Sequence, residues 1–286
     1  MTNRIHREVI GGHLLVIGGA EDKYNERRIL RKFLELTGND GGETQILIVP
    51  VASDFPEFAA DIYVQAFRRL GIANPRVLRA TSRQDVFVAN GDELLDGVKG
   101  VFITGGDQMR LVSLLGGTEL SQKLRQLITE TDLVVAGTSA GAAGMSTSMI
   151  VRGEATPHPH KGSVRLSPGL GFLKNIIIDQ HFTERGRISR LITAVSYNPY
   201  NLGIGIDENT AIILDKDGVL EVFGAGSVTI VDGSQITYNE IAEVDDNQSF
   251  SVCGVQLHIL GDGLIYDYFA RTPLQPPNEF LLPDIE

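Results

Sequence analysis

The stretch from residue 132 to residue 144 reads DLVVAGTSAGAAG, an apolar run that ends directly in a Gly-x-Ser-x-Gly pattern. The run has the length and composition of a buried parallel strand, and a series of small residues follows it. Ser139 therefore falls at the apex of a sharp strand-to-helix turn, with Gly137 and Gly141 where a side chain would collide with that turn. The N–H groups of the helix would favour negative charge that develops near the serine. The pattern predicts a nucleophile elbow, with an ordinary glycine-rich turn as the alternative.

Strands and helices alternate in the part of the chain before this turn. Strands that alternate with helices of ~10–15 residues form βαβ units. The expected fold class is therefore α/β, with a mostly parallel, doubly wound sheet and helices on both faces. In such a sheet ligands bind beyond the carboxyl ends of the strands, where Gly18-Gly19, Gly105-Gly106 and Ser139 lie. The predicted strands are 14–17, 45–51, 76–78 and 100–104, and the predicted helices are 25–36, capped by Asn25, 56–70 and 119–129.

The second half of the chain is richer in strands. Strands are predicted at 219–223, 227–231 and 255–260, separated by Asp-Gly turn signals. A further helix is predicted at 184–195, and the proline-rich tail at 273–283 is expected to pack along the surface. Because no Pro- or Ser-rich linker separates the two halves, we expect a single domain over residues 1–286.

Composition restricts the possible classes of function. A length of 286 residues, 42% hydrophobic residues and a mean hydropathy of +0.02 are typical of a globular protein with a sizeable core. No apolar run approaches the ~20 residues of a membrane span. The single cysteine, Cys253, excludes an internal disulfide and favours a cytoplasmic location. The net charge of −11 argues against a nucleic-acid partner and would attract a cationic substrate.

Residues 18–23, Gly-Gly-Ala-Glu-Asp-Lys, form a glycine-rich loop directly after the first predicted strand. It matches neither Gly-x-x-x-x-Gly-Lys-Ser/Thr nor Gly-x-Gly-x-x-Gly, so nucleotide binding is not predicted. A contact between this loop and an anion or a carboxylate remains open.

A serine nucleophile needs a base, and the chain has six histidines. His181 follows the apolar run 176–179 and precedes a helical segment, so it lies at the carboxyl end of another predicted strand, where a base for Ser139 is expected. The others fit poorly: His6 and His13 are near the N-terminus, His158 and His160 lie in a Pro-rich loop, and His258 alternates with apolar residues in a late strand. Neither a His-Glu-x-x-His motif nor a Cys/His set is present, so no metal and no cofactor are predicted.

The base in turn needs an acid that orients it. Glu208 is preferred because it follows a further apolar strand, although its neighbour Asp207 and the more distant Glu154 stay open. Backbone N–H groups of Ala140 and Gly106 are the expected oxyanion donors.

Candidate substrate-binding side chains stand near these positions. Gln108 follows the Thr-Gly-Gly-Asp segment, where it could meet a substrate. Arg185, Arg187 and Arg190 follow the candidate base, and their planar guanidinium groups suit carboxylates, although a solvated basic stretch is the alternative.

The order Ser139, His181, Glu208 differs from the Ser–acid–His order of α/β-hydrolases. Five segments together resemble cyanophycinase, a serine peptidase of the peptidase E group, whose fold is similar to that of class I glutamine amidotransferases. The resemblance runs from about residue 14 to residue 210. The segments are IGGAEDK at 17–23, TGGDQ at 104–108, GTSAG at 137–141, DQHFTERGRISR at 179–190 and GIDENT at 205–210.

The resemblance implies a substrate and a set of roles. Family members cleave cyanophycin, a poly-aspartate chain with an arginine on each β-carboxyl, from its carboxyl end into β-Asp-Arg dipeptides. They are cytoplasmic homodimers without a cofactor. Ser139 would be the nucleophile, His181 the base and Glu208 the acid. The substrate pocket would be formed by Gln108, Asp179, Gln180, Arg185, Arg187 and Arg190.

Two alternatives to this reading stay open. One is an α-aspartyl dipeptidase of the peptidase E type, which shares the serine elbow but would not need the arginines around the histidine. The other is a polymer-binding relative that has lost catalysis, against which the intact serine, histidine and glutamate argue.

Overall fold

A computed structural model describes residues 10–38 and 44–274 of the chain. His6 and the tail from residue 275 onward lie outside the described residues. In chain order the elements are β1 (His13–Ile17), α1 (Arg28–Leu36), β2 (Gln45–Val49), α2 (Pro56–Arg69), β3 (Arg76–Val77), α3 (Arg83–Val88), α4 (Gly91–Leu95), β4 (Val98–Ile103), α5 (Gln108–Leu115), α6 (Glu119–Glu130), β5 (Val134–Thr138), α7 (Ala140–Gly144), β6 (Ser148–Gly153), β7 (Val164–Pro168), β8 (Ile176–Gln180), α8 (Ile188–Tyr197), β9 (Leu202–Ile206), β10 (Thr210–Leu214), β11 (Val219–Gly224), β12 (Val228–Asp232), β13 (Tyr238–Asn239), β14 (Val252–Cys253), β15 (Gln256–Leu260), β16 (Ile265–Asp267) and β17 (Thr272–Leu274).

The central sheet has nine strands in the order β17-β16-β11-β10-β1-β5-β4-β2-β3. From β1 to β3 every neighbouring pair is parallel. On the other side of β1, the strands β10, β11, β16 and β17 pair in antiparallel fashion. The α/β class with a large parallel region and a β-rich C-terminal part is therefore confirmed.

Alternate residues of β1 face two different apolar clusters. Leu15 and Ile17 pack with residues of α1 and α2. Leu14 and Val16 pack with residues of α5 and α6. All four side chains are fully buried. Burial on both faces explains why these strands appear in the sequence as continuous apolar runs, and it confirms helices on both faces of the sheet.

The strands β8 and β9 do not belong to the central sheet. They lie parallel to each other in a second sheet of order β15-β12-β9-β8. One face of this sheet joins the α5 and α6 cluster through Ile178 and Ile204, and Leu191 of α8 covers the other face. The end of β8 meets the end of β1, where the His181 N–H donates to the Gly18 carbonyl at 2.9 Å. The carboxyl ends of strands from two sheets thus converge; the sequence predicts the strand end at His181 but not that its strand belongs to a separate sheet.

Two predicted helix starts are wrong. Helix α1 begins at Arg28, after Arg27 in the left-handed region with φ 53°. Asn25 is therefore not the cap, and its N–H donates to Asp22 Oδ1 at 2.9 Å. Helix α8 begins at Ile188 rather than at residue 184, because residues 182–186 form a turn in which Gly186 has φ +59°.

Candidate active site

The predicted strand-to-helix turn is present between β5 and α7. Ser139 has φ 52° and ψ −114°, a conformation that side chains rarely adopt. Its N–H donates to the Ile17 carbonyl at 3.0 Å, which ties the apex to β1. A Cβ at Gly137 would lie 2.7 Å from both the Gly141 carbonyl and Met145 Sδ. Glycine is therefore needed at residue 137 for steric reasons, as the pattern predicts.

Three of the predicted site residues form a chain of hydrogen bonds. Ser139 Oγ lies 2.9 Å from His181 Nε2. His181 Nδ1 lies 2.6 Å from Glu208 Oε1. The imidazole is buried, with 9% of His181 exposed, whereas Glu208 is partly open to solvent. With Nδ1–H donating to the carboxylate, Nε2 accepts the serine hydroxyl proton, which is the arrangement of a serine triad.

Gly19 packs against the imidazole. A Cβ at this position would lie 2.6 Å from His181 Nε2, and Gly19 has φ +104°. No larger residue fits without moving the ring. The position of Gly19 just after a strand is visible in the sequence, but its contact with His181 is not.

The two other candidate acids lie elsewhere. Asp207 accepts the Thr183 N–H at 3.1 Å, and the Ser227 N–H and hydroxyl at 3.0 and 2.8 Å. Burial acts to raise the pKa of Asp207, but the hydrogen bonds from Thr183 and Ser227 outweigh it and lower that pKa. Glu154 is exposed just after β6, and its N–H donates to the Ser163 carbonyl at 3.2 Å. Of the three acids, the structure brings only Glu208 to the histidine within the described residues.

The loop after β4 lies against the serine. A Cβ at Gly105 would be 3.3 Å from Ser139 Cβ. The next residue, Gly106, has φ +145°, and a Cβ there would lie 2.7 Å from the Ser53 nitrogen. Ala140 is the first residue of α7, where N–H groups have no partner inside the helix. Both predicted oxyanion donors therefore belong to segments that flank Ser139.

Four of the predicted substrate-binding residues contact one another. Asp179 accepts from Arg190 Nε at 2.7 Å and also from Arg190 Nη2, a bidentate pair, and it lies 3.3 Å from Arg187 Nη1. Arg187 Nη1 also donates to Gln180 Oε1 at 2.7 Å and to the Gln180 carbonyl. Arg190 Nη1 donates to the Gly153 carbonyl at 2.7 Å. Residues that were expected to bind opposite charges of a substrate therefore pair with each other in this structure.

This cluster has more positive than negative charge. Asp179, Arg187 and Arg190 are 1%, 9% and 6% exposed, so one buried carboxylate faces two buried guanidinium groups. Burial lowers the pKa of Arg187 to about 10; Asp179 opposes this shift, while Arg190 and the exposed Arg185 add to it. Arg187 therefore stays protonated at neutral pH, and the excess positive charge favours an anion beside the cluster.

Gln108 lies at the start of α5 and is half-buried. Its Nε2 donates to the carbonyls of Ile150 and Val151, at 2.9 and 3.2 Å. These contacts hold the side chain between α5 and β6.

Among the described residues there is neither a cluster suited to a metal ion nor a helix suited to cross a membrane. Over 10–38 and 44–274, no group of at least three His, Cys, Asp or Glu side chains is arranged to hold a metal ion. Within the same residues, no helix has the length and apolar character that crossing a membrane requires.

Residues 14–222 match the profile of peptidase family S51. The chain belongs to this family. A cyanophycinase of Nostoc sp. is 40% identical over 261 residues, which cover 91% of this chain and 87% of that protein. A cyanophycinase of Synechococcus elongatus is 40% identical over 277 residues, or 96% of this chain and 84% of that protein.

A solved structure shares the fold. The crystal structure of a peptidase from an acI-B1 Actinobacterium superposes with a TM-score of 0.65 at 22% identity, covering 92% of this chain and 98% of that one. The family and its relatives confirm the predicted serine peptidase and its resemblance to cyanophycinases of the peptidase E group. The roles of individual site residues stay predictions.

Proposed function

We propose that this peptidase hydrolyses the poly-aspartate backbone of cyanophycin, with Ser139 as nucleophile, His181 as base and Glu208 as orienting acid. The observation that carries the catalytic part is the pair of hydrogen bonds that join the three side chains, at 2.9 Å and 2.6 Å. Neither Asp207 nor Glu154 is a competing partner for the imidazole, since the first is engaged by Thr183 and Ser227 and the second is exposed.

The proposed reaction follows from these contacts. Ser139 Oγ attacks the scissile carbonyl as His181 Nε2 takes its proton, and Glu208 stabilises the imidazolium and keeps the proton on Nδ1. The N–H groups of Gly106 and Ala140 donate to the oxyanion of the tetrahedral intermediate. His181 then protonates the leaving amine, which departs and leaves an acyl-enzyme on Ser139. The leaving amine is the carboxyl-terminal β-Asp-Arg unit, so the acyl group is the rest of the polymer. A water molecule, deprotonated by the same imidazole, hydrolyses this ester; His181 returns the proton to Ser139 Oγ, and the shortened polymer is released.

Cyanophycin as the substrate is supported by the relatives and by charge. Relatives named cyanophycinases align with more than nine-tenths of the chain. The polymer carries a free carboxylate at its end and guanidinium groups along its length. The charged cluster could bind both, with Arg185, Arg187 and Arg190 for carboxylates and Asp179, with Gln180 and Gln108, for the arginine side chain. The proposed product is the β-Asp-Arg dipeptide, released from the carboxyl end.

Digestion of purified cyanophycin, with products identified by mass spectrometry, tests the proposal. We expect β-Asp-Arg dipeptides, no products from Ser139→Ala, and far slower cleavage of plain poly-aspartate. A substrate without arginine loses the hydrogen bonds that its guanidinium group would make, each worth about 1.5–3 kcal/mol, which corresponds to roughly 10- to 150-fold in rate. If an α-aspartyl dipeptide is turned over as fast as cyanophycin or faster, the protein is instead an α-aspartyl dipeptidase of the peptidase E type. Binding of the polymer without cleavage would indicate an inactive relative.

The proposal also covers the oligomeric state, the location and the domain organisation of the protein. We expect a cytoplasmic homodimer without a cofactor, in which residues 1–286 form a single domain. Light scattering after gel filtration measures the molecular mass against the 31.1 kDa of one chain. Calorimetry should give one unfolding transition if the domain is single.

A further inference from the structure

The loop at residues 18–23 contacts all three segments that carry the proposed triad. The Gly18 carbonyl accepts the His181 N–H at 2.9 Å, and the Gly19 carbonyl accepts the Asn209 N–H at 2.8 Å. The Asp22 N–H donates to Asn209 Oδ1 at 3.0 Å. One short segment therefore holds the backbone beside the base and beside the acid. Its contact with the third segment, the serine elbow, is made by a side chain.

That side chain is Glu21, a carboxylate with 2% of the residue exposed. Its Oε2 accepts the Thr138 hydroxyl at 2.5 Å. Its Oε1 accepts the Tyr63 hydroxyl and lies 3.1 Å from Lys23 Nζ. Thr138 and Tyr63 are themselves buried. The carboxylate is thus fully enclosed, and its partners are all donors.

This arrangement requires a carboxylate. An ionised carboxyl group only accepts hydrogen bonds, so it can satisfy a threonine, a tyrosine and an ammonium group at once. Burial and the adjacent Glu21 raise the pKa of Tyr63, so the phenol keeps its proton and donates. An amide at residue 21 would turn an NH2 group toward one of these donors and leave a buried polar group unpaired.

The position of Thr138 gives this contact a consequence for the serine. Thr138 is the last residue of β5, directly before Ser139 with φ 52° and ψ −114°. A backbone in a sparsely populated region persists only where its surroundings hold it. The buried bond from Thr138 to Glu21 holds one side of the apex, and the bond from the Ser139 N–H to Ile17 holds the other.

We propose that Glu21 is a positioning residue that acts through Thr138 to hold Ser139 in line with His181. This inference rests on the proposed role of Ser139 as nucleophile. The Gly-Gly-Ala-Glu-Asp-Lys loop at residues 18–23 would then have a structural role in the active site, because its glutamate contacts the serine elbow inside the protein. Because Glu21 is buried away from solvent, its loss should slow the attack by Ser139 and leave substrate affinity unchanged.

The test uses two variants and one control. Glu21→Gln keeps the shape of the side chain and removes its charge. Thr138→Val keeps the shape of the threonine and removes the hydroxyl that contacts Glu21. The control, Tyr268→Phe, removes another buried tyrosine hydroxyl, which donates to the Lys174 carbonyl at 2.7 Å, at the amino end of β8 and far along the chain from the elbow.

Three quantities are measured on the full-length chain: the rate at which a fluorophosphonate labels Ser139, kcat and KM on cyanophycin, and the thermal midpoint. We expect Glu21→Gln and Thr138→Val to lower both the labelling rate and kcat by about 10- to 100-fold, with KM within about twofold, because the loss is one of alignment. The double variant should be little slower than either single one, since both remove the same contact. Tyr268→Phe should lower the midpoint and keep the labelling rate.

The labelling rate separates this inference from the proposed function. If wild-type protein is not labelled, Ser139 is not an activated nucleophile, and the proposed function fails. If wild-type protein is labelled and Glu21→Gln and Thr138→Val react at the same rate, only the inference about Glu21 is wrong. An equal loss of labelling in Tyr268→Phe would also overturn it, because general destabilisation would then explain the effect. Should Glu21→Gln fail to fold, Thr138→Val alone decides.

Discussion

Adding one methyl group at Gly19 should disable the peptidase by moving His181. A Cβ at this position would lie 2.6 Å from His181 Nε2, whereas ordinary van der Waals contact begins at 3.4 Å. The nearest ring atom, His181 Cε1, would be only 2.4 Å away, so the ring must retreat by about 1.0 Å, the difference between 3.4 and 2.4 Å. Ser139 Oγ and Nε2 are 2.9 Å apart, so a shift of this size stretches or misaligns the hydrogen bond through which the proton passes.

The expected cost in rate follows from this displacement. A misplacement near 1 Å of a catalytic group costs about 100-fold, or ~2.7 kcal/mol of barrier. The backbone adds a separate cost in stability, because Gly19 has φ +104° and an alanine there is strained by roughly 1–3 kcal/mol. The control is Gly71→Ala: Gly71 has φ +100°, and nothing lies within 4 Å of a Cβ built on it. Both variants should lose stability, and only Gly19→Ala should lose activity.

The assay compares kcat and the labelling of Ser139 for both variants with chemical denaturation curves. Gly19→Ala should show a kcat about 100-fold below wild type, and Gly71→Ala should stay within about twofold. A folded Gly19→Ala variant with wild-type kcat would refute the argument from contact with the imidazole. An equal loss of kcat in Gly71→Ala would show that backbone strain alone explains the effect.

Other residues lead to further predictions. Ser139→Ala should fold normally and lose about 10⁴-fold or more in kcat, measured by steady-state hydrolysis, and a tenth of wild-type turnover would contradict its role. Glu208→Gln should lower kcat far more than Asp207→Asn or Glu154→Gln, because the Glu208 carboxylate fixes the tautomer of the imidazole. A severe loss of kcat in Glu154→Gln instead would identify Glu154 as the third member of the triad. Because the pKa of Asp207 is lowered on folding from its ordinary 3.8, its contribution to stability is complete above that pH and is lost as the pH falls through the folded value. The stability gap between wild type and Asp207→Asn should therefore narrow in acid, and a gap that widens there would contradict the assignment. Asp179→Asn leaves two buried guanidinium groups without their shared carboxylate and should destabilise the fold by about 3–5 kcal/mol in urea denaturation, whereas an unchanged midpoint would show that the pair is not buried.

Much of the fold could be predicted because its causes are local. The run before Ser139 is continuously apolar since both faces of the central sheet are covered. Helix α2 begins at Pro56, as predicted, because proline suits the first turn. The short helices α3, α4 and α5 were missed although their caps can be read in the sequence, with Ser82, Asn90 and Asp107 each accepting a first-turn N–H. Their lengths of eight residues or fewer give too little periodicity to detect.

The contacts within the candidate active site were harder to predict from the sequence than the fold. Glu208 and Asp207 are neighbours in sequence, and their side chains leave the strand end in different directions. Which of them meets His181 depends on how the neighbouring strands β8 and β9 end, because His181 follows β8 and Glu208 follows β9, 27 positions further along the chain. Asp179 pairs with residues closer in sequence, because Arg187 and Arg190 follow it by only 8 and 11 positions.

The sequence by itself therefore determined the elbow and the alternation of strands and helices before it, because the steric needs of glycine at 137 and 141 and the period of apolar residues act within a few positions along the chain. Only the tertiary structure decided which acid serves the histidine, why Gly19 carries no side chain, and what Glu21 contacts. The acid is decided between the ends of the paired strands β8 and β9, and the Glu21 contact between the loop after β1 and the end of β5. The Gly19 contact joins strand ends of two separate sheets, where a shift of about 1 Å separates a fitting contact from a collision.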